Sequence, residues 1–301
     1  MTHSYVELCE VGPRDGFQYE TKPIPTDLKL EILDGLVRTG IRRIQATSFV
    51  HPDRVPQMAD AEAVVAGLPK AEGVTFTGLA LNVRGVFRAA ECGLKAVDLS
   101  IATNETHGRH NTSMSVEEGV QEATRMIEEA TRLGLEVQLG LQTVFGYDEP
   151  GDTPLDEIVL LAERFVGMGI ESLSLADTTG LANPIMIRER LAAVGAVRGA
   201  TPVVLHLHDT RGLGLANAFA AWETGVNRFD TSLGGLGGCP FIPGAAGNVA
   251  TEDMVNMFEE MWIATGVDGA KVAACTRRVA DFLRRELEGK IYRLARRTLP
   301  A

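Results

Sequence analysis

Gly134-Leu-Glu-Val-Gln-Leu-Gly-Leu-Gln-Thr-Val144, the amphipathic stretch Leu155–Gly167 and, after Gly169, the short run Ser172-Leu-Ser-Leu-Ala176 together spell one strand–helix–strand unit. A short apolar run bounded by turn residues reads as a strand, and a longer amphipathic stretch reads as a helix. Outward from this unit the same alternation recurs at a spacing of roughly 30–40 residues, which predicts strands at Val6–Val11, Arg43–Ser48, Thr75–Leu81, Ala96–Ala102, Glu136–Val144, Ser172–Ala176, Val203–Leu207 and Arg228–Ser232. Helices between them include Asp27–Thr39, Val116–Leu133, Leu155–Gly167, Pro184–Val197 and Leu213–Glu223. Gly40, Gly134, Gly169 and Gly225 stand just before the following strand, where a helix ends on a left-handed residue. Eight parallel strands alternating with helices is the count of an α/β fold of the (β/α)8 TIM-barrel type. The Gly-x-Gly-x-x-Gly that an open doubly wound sheet more often carries after its first strand is absent. The expected organisation is a single barrel domain over residues 1–301, with 250–301 forming additional C-terminal helices.

Composition narrows the partners. At 301 residues and 45% hydrophobic content the chain can bury a large core, and its length suits one barrel. A formal net charge of −11 argues against the broad positive field that nucleic acid or an anionic membrane selects, so any anionic ligand must be held by local groups. The start lacks a basic region followed by an apolar run, and no window approaches about 18 uninterrupted apolar residues, so a cytoplasmic location with no membrane partner is expected. Cys9, Cys92, Cys239 and Cys275 lack the short paired spacings of a zinc ribbon or a disulfide framework; three read as packing residues and Cys239 as the exception. From Lys271 onward there are nine Lys/Arg against three Asp/Glu, which reads either as a contact for phosphates or as a solvated amphipathic helix packed on the barrel or on a partner subunit.

In a barrel, chemistry sits at the C-terminal ends of the strands, where several strands converge on one face. The unusual polar residues fall there: Arg14 and Asp15 after the first strand, Gln45 to Ser48 on the second, Asp177 on the sixth, and His206 and His208 on the seventh. The segment Gly234-Gly-Leu-Gly-Gly-Cys-Pro-Phe-Ile-Pro-Gly-Ala-Ala-Gly-Asn248 follows the eighth. Alternation along a strand sends His206 and His208 to one face, so both imidazoles can reach one ion. Each residue also has a plainer reading. The histidines can be hydrogen-bonded at a strand end, Asp15 can be a turn residue before Gly16, Arg14 can form a salt bridge at the barrel mouth, and Asn248 can cap a helix starting near Ala250. Taken together, two imidazoles, a carboxylate and an amide oxygen without thiolate favour Mg²⁺ or Mn²⁺. Asp177 and Asp209 are candidates to orient an imidazole or a bound water, against simple helix capping, and His107 and His110 read as solvated surface histidines.

Val11-Gly-Pro-Arg-Asp-Gly-Phe-Gln18, Thr47-Ser-Phe-Val50, Val55-Pro-Gln-Met-Ala-Asp60, His206-Leu-His-Asp-Thr210 and Gly234 through Asp253 resemble the 3-hydroxy-3-methylglutaryl-CoA lyase family. The similarity runs from Val6 to about Phe282, and the glycine-rich Cys loop with Gly-Asn-Val-Ala-Thr-Glu-Asp is its most specific part. The resemblance implies a metal-dependent carbon–carbon lyase of leucine degradation that cleaves a 3-hydroxyacyl-CoA, foremost hydroxymethylglutaryl-CoA to acetyl-CoA and acetoacetate. It implies Asp15, His206, His208 and Asn248 as ligands of the divalent cation, Arg14 over the thioester oxygen, and Cys239 as the thiol of a mobile loop. Arg14, Asp15, His206 and Cys239 are thereby the expected catalytic residues; Arg14, Gln18 and Gln45 are expected to meet the acyl-CoA substrate, and a homo-oligomer, dimer or tetramer, is expected.

Breaking the C2–C3 bond of such a thioester removes the hydroxyl proton and leaves an acetyl-CoA enolate. A cation on the hydroxyl and a permanently charged Arg14 near the enolate oxygen are suited to this chemistry. The glycines around Cys239 suit a lid that closes over the carbanion, against the plainer reading of a small residue before Pro240. Two departures stand out. Gln45 replaces the family's usual Glu, and Tyr147-Asp-Glu-Pro-Gly151 replaces its Cys-Pro-Tyr-Glu-Gly. They keep open a lyase or condensing enzyme for another 3-hydroxyacyl-CoA such as citramalyl-CoA, and, because an amide supplies no negative charge, a non-catalytic acyl-CoA or metal sensor.

Overall fold

The structure, a computed structural model, describes residues 4–238 and 247–297. Eight strands, β1 (Glu7–Glu10), β2 (Arg43–Ser48), β3 (Thr75–Ala80), β4 (Ala96–Ala102), β5 (Glu136–Gln142), β6 (Ser172–Asp177), β7 (Val203–Leu207) and β8 (Arg228–Thr231), pair in parallel in chain order. The circle closes where β1 meets β8, with Glu7 beside Arg228 and Cys9 beside Asp230. This is a (β/α)8 TIM barrel, and each strand lies within two residues of its predicted range.

The helices are α1 (Thr26–Val37), α2 (Ala61–Ala66), α3 (Val83–Glu91), α4 (Glu105–Asn111), α5 (Val116–Arg132), α6 (Leu155–Val166), α7 (Pro184–Gly195), α8 (Gly214–Glu223), α9 (Thr251–Glu260), α10 (Gly269–Leu283) and α11 (Ile291–Arg297). Gly40, Gly134, Gly169 and Gly225 all adopt the positive φ expected of them. The short α2 and α4, and α3 with its Asn82 cap, were not anticipated from the sequence.

Alternation along each strand separates two environments. Leu173 and Leu175 of β6, Leu205 and Leu207 of β7 and Phe229 of β8 turn outward into the main hydrophobic core under the helices. Each such side chain contributes roughly 1.5–3 kcal/mol by leaving water. The residues between them face the barrel interior and are unusually polar: Gln45, Thr77, Asp98, Gln138, Ser172, Ser174 and Asp230 are all buried. A shift of register between Gln45 and Thr47 marks a bulge in β2 at the level where the polar interior begins.

The C-terminal helices pack on the barrel. Arg278 of α10 pairs with Glu31 of α1, Arg285 with Glu20, and Lys290 with Asp209. In α1 a Cβ on Gly35 would sit 2.7 Å from Sγ of Cys275, so glycine lets the two helices approach there. Three of the cations after Lys271 thus meet carboxylates that precede the C-terminal helices in the chain. Among the described residues, no helix is long and apolar enough to cross a membrane.

Candidate metal centre

The chain leaves β1 through a π-helical turn, Gly12–Gly16, rather than as continued strand. Its start is pinned by Val11 N donating to Thr231 O at 2.8 Å, and the turn closes with Asp15 N donating to Val11 O at 2.7 Å. Such turns occur mostly as single insertions, often at functional sites. On the far side of the gap, residues 247–250 are stapled between the ends of β7 and β8. Asp209 N bonds Gly247 O, Val249 N bonds Leu207 O, and Ser232 N bonds Val249 O. This pairing sets Asn248 directly opposite His208.

Two buried carboxylates tie these pieces together from below. Glu10 Oε1 accepts from the backbone N–H of Gly12 and Leu233 at 2.8 and 2.9 Å, and Oε2 accepts from Thr251 Oγ1 at 2.7 Å. Glu252 Oε2 accepts from Gly234 N at 3.0 Å. Burial pushes Glu10 up to about 8 and Glu252 up to about 7, against the lowering effect of those same donors.

Above them, Asp15, His206 and His208 offer ligand atoms that all lie within 4.8 Å of one another, a group able to hold a metal ion. Asp15 Oδ1 accepts from Arg14 and, at 3.3 Å, from Gln18 Nε2; Oδ2 accepts from Asn248 Nδ2 at 2.7 Å and lies 4.0 Å from His206 Nε2. Arg14 also donates from Nε to Gln45 Oε1, which places Gln45 beside these residues. Its Nη2 makes no hydrogen bond among the described residues. The close quarters demand glycine at 237, which has φ 122°: a Cβ there would meet Asn248 Nδ2 at 2.5 Å and Asp15 Oδ2 at 3.2 Å.

Electrostatics differentiate the two histidines. Burial works against the cationic form of His206, but the hydrogen bond and charge of Asp230, then Asp15, outweigh it and raise its pKa. The 3.2 Å contact from His206 Nδ1 to Asp230 Oδ2 leaves Nε2 facing Asp15. His208 is pushed down to about 4, first by burial and then by His206, so its ring is neutral with a lone pair to offer. For Asp15, burial opposes ionisation, yet Arg14, the two histidines and Asn248 together hold its carboxyl below the usual range.

The donor set fits a hard divalent cation. Asn248 Oδ1 and His208 Nδ1 are buried with no hydrogen-bond partner among the described residues, a costly state unless a ligand completes them. The helix-cap reading of Asn248 fails, because α9 takes Ala250 as its N-cap and the Asn248 side chain turns to Asp15 instead.

A family model described as HMGL-like matches residues 5–279. The chain belongs to the HMGL-like family. Its members similar to this chain include hydroxymethylglutaryl-CoA lyase YngG of Bacillus subtilis (strain 168), 39% identical over 285 residues, covering 95% of each protein. The mitochondrial hydroxymethylglutaryl-CoA lyase of Gallus gallus is 36% identical over 290 residues, covering 96% of this chain and 97% of that protein. Among solved family structures, the B. subtilis HMG-CoA lyase superposes with a TM-score of 0.95 at 38% identity, covering 98% of this chain and 99% of that one. An A. baumannii HMG-CoA lyase in complex with coenzyme A and 3-methylmalate gives 0.92 at 35% identity, over 99% and 97%.

Of the predicted site residues, the structure gathers Arg14, Asp15, Gln18, Gln45, His206, His208 and Asn248 at one rim; Cys239 lies outside the described residues. Neither Asp177 nor Asp209 meets an imidazole. Asp177 Oδ1 accepts from the backbone of Leu181 and Ala182, and Asp209 Oδ1 from Gly214. The carboxylate that orients His206 is Asp230, which sequence reasoning missed; the available signal was its place near the end of the eighth strand, in register with His206. His107 is a second correction. It is buried, not solvated, with Nε2 at 3.0 Å from Gln142 Oε1, whereas His110 is exposed.

Proposed function

We propose that this chain cleaves 3-hydroxy-3-methylglutaryl-CoA to acetyl-CoA and acetoacetate at the rim formed by β1, β7 and β8. The observation that carries the reading is the convergence of Asp15, His206 and His208 beside the buried guanidinium of Arg14. Asp15, His206 and His208, with the unpartnered oxygen of Asn248, are the residues to hold a divalent cation, Mg²⁺ or Mn²⁺. A cation bound there supplies Lewis-acid polarisation and a template for the hydroxyl and carbonyl oxygens of the substrate.

The chain's own groups do the rest. Asp230 holds the His206 ring so that Nε2 faces inward, and burial keeps His208 neutral. Arg14, fixed by Gln45 and Asp15, stabilises the thioester oxygen as the 3-hydroxyl loses its proton to water and becomes the ketone carbonyl and the C2–C3 electron pair moves into the thioester; its Nη2, which makes no hydrogen bond among the described residues, can meet that oxygen. Gln18, held near Asp15, borders the same space. Cys239 is the group assigned to protonate C2 of the enolate as it becomes acetyl-CoA. The same reading carries a homo-oligomer of two or four subunits, to be measured by light scattering, and a cytoplasmic location.

The test is a steady-state comparison of hydroxymethylglutaryl-CoA with citramalyl-CoA in the presence of Mg²⁺ or Mn²⁺, with acetoacetate as one readout. Preference for hydroxymethylglutaryl-CoA in kcat/KM is expected. Turnover of citramalyl-CoA alone would reassign the substrate. A silent wild type that gains activity on Gln45→Glu substitution would make the protein a sensor instead.

A further inference from the structure

Beneath the candidate metal centre, the pair of Arg14 and Gln45 continues into a buried polar chain whose further members, Asp98, Thr77 and Arg43, the reaction as described does not use. Arg14 Nε donates to Gln45 Oε1, and Gln45 Nε2 donates to Asp98 Oδ2. Asp98 Oδ2 also accepts from Thr77 Oγ1, and Oδ1 accepts from Arg43 Nη2 at 2.9 Å. Gln45 and Asp98 are each 3% exposed and Thr77 is fully buried, so water does not substitute for a misplaced partner. Asp98 interrupts the otherwise apolar start of β4, Ala96-Val-Asp-Leu99, a local break with patterning of the kind that functional sites retain.

The direction of this chain is its informative property. A carboxamide has a donor end and an acceptor end, whereas guanidinium nitrogens only donate. Arg14 is therefore held by Gln45 only if the amide shows it the oxygen. Nothing in the amide itself selects that orientation; Asp98 does, by taking the NH₂ end with an acceptor-only carboxylate that Arg43 and Thr77 hold in place. With the amide reversed, N–H would face N–H at Arg14, a buried repulsion in place of a bond.

We propose that Asp98 is a positioning residue for the lyase reaction, acting through the Gln45 amide to aim the Arg14 guanidinium at the substrate's thioester oxygen. This rests on the role given above to Arg14. Asp98 touches neither Arg14 nor the cation ligands directly, so its effect falls on the chemical step more than on substrate binding.

The test uses Asp98→Asn, Gln45→Glu and the double exchange. In Asp98→Asn the single amide oxygen goes to the charged Arg43, which can only donate, so the NH₂ faces Thr77, whose hydroxyl can turn to accept, and the Gln45 NH₂, which cannot; the Gln45 orientation is lost and kcat is expected to fall about 10–100-fold, the scale of a small misplacement of a catalytic group, with KM within about 3-fold of wild type. Gln45→Glu alone sets two carboxylates against each other and also lowers kcat. The double variant restores the polarity. Its carboxylate at position 45 accepts from Arg14, its amide at position 98 donates to that carboxylate and accepts from Arg43, and the Thr77 hydroxyl turns to accept. Its kcat is expected within about 10-fold of wild type, well above the product of the two single effects.

An Asp98→Asn enzyme with lowered Tm but wild-type kcat would reduce Asp98 to a fold-supporting role and overturn the proposal. So would a double variant no faster than the singles combined. Wild-type protein without activity on hydroxymethylglutaryl-CoA would instead overturn the reading of the site, a distinct outcome.

Discussion

Two walls of the barrel mouth carry histidines, and among the described residues one of them groups its histidines with a carboxylate so that they could hold a metal ion. On the β7–β8–β1 wall, His206 and His208 converge with Asp15, Asp230 backs His206, and Asn248 Oδ1 and His208 Nδ1 are left without partners among the described residues. On the opposite wall, after β4 and β5, His107 meets the Gln142 amide at 3.0 Å, Asn111 shares that amide oxygen, and His110 meets the Tyr147 hydroxyl at 3.1 Å. The nearby Asp152 spends its oxygens on the backbone N–H groups of Tyr147, Asp148 and Glu149. Histidine content is similar; the difference lies in where the carboxylates point. An imidazole backed by a carboxylate is held in one tautomer with its other nitrogen presented, whereas one bonded to an amide is a neutral strut. Burial lowers the pKa of His107 with only a hydrogen bond from Gln142 to oppose it, while Asp230 reverses the sign at His206.

The comparison breaks most severely at Asp15. Asp15→Ala removes the carboxylate that both histidines and Arg14 face, and a fall in kcat of about 10³-fold, with Mn²⁺ binding lost in titrations, is expected. Retained Mn²⁺ affinity would place the cation elsewhere. Next in size, Asp230→Asn leaves His206 without its orienting charge and is expected to weaken Mn²⁺ binding about 10–100-fold, while Gln142→Leu on the other wall changes it less than about 2-fold. Equal effects from the two substitutions would erase the distinction drawn between the walls.

A third measurement sharpens the distinction through pH. Because the pKa of His206 is raised, the cation competes with a proton there, so Mn²⁺ affinity should weaken by up to about tenfold per pH unit on acidification below that pKa. His208, at about 4, stays neutral throughout that range. In Asp230→Asn the onset should move to lower pH; movement to higher pH would contradict the assigned cause.

The smallest effect concerns the support beneath the wall. Glu10 carries a pKa of about 8 against an ordinary value of 4.5, so between those values the folded state holds a proton that the unfolded state has lost. Its contribution is fully present below about pH 4.5 and is lost as pH rises through about 8. Glu10→Gln, which mimics the protonated form, should flatten the stability loss between pH 6 and 9 by about 2 kcal/mol in urea titrations. An unchanged slope would show that Glu10 ionises freely in the fold.

The barrel was legible in the chain because strand and helix periodicities are local, and each βα unit repeats them. The ranges of β2, β4 and β7 agree to the residue, and the four predicted turn glycines all have positive φ. The short α2 and α4 left too few residues for a period to register. The candidate residues were legible for another reason: Arg14-Asp15 and His206-Leu-His208 are compact motifs, and the spacing of the second already sends both imidazoles to one face of a strand.

What only the tertiary structure decided is how distant segments satisfy one another. Asp230 rather than Asp177 backs His206 because β8 runs in register beside β7, with His206 paired to Asp230. His107, in α4, is buried where the end of β5 and the segment after it bring Gln142 and Tyr147 against its ring. The sense of the Gln45 amide comes from Asp98, 53 positions away, which no local pattern connects to it. Periodicity and short motifs are properties of neighbours along the chain and survive in the sequence; hydrogen-bond direction inside a closed barrel exists only once eight strands have brought remote donors and acceptors to one place.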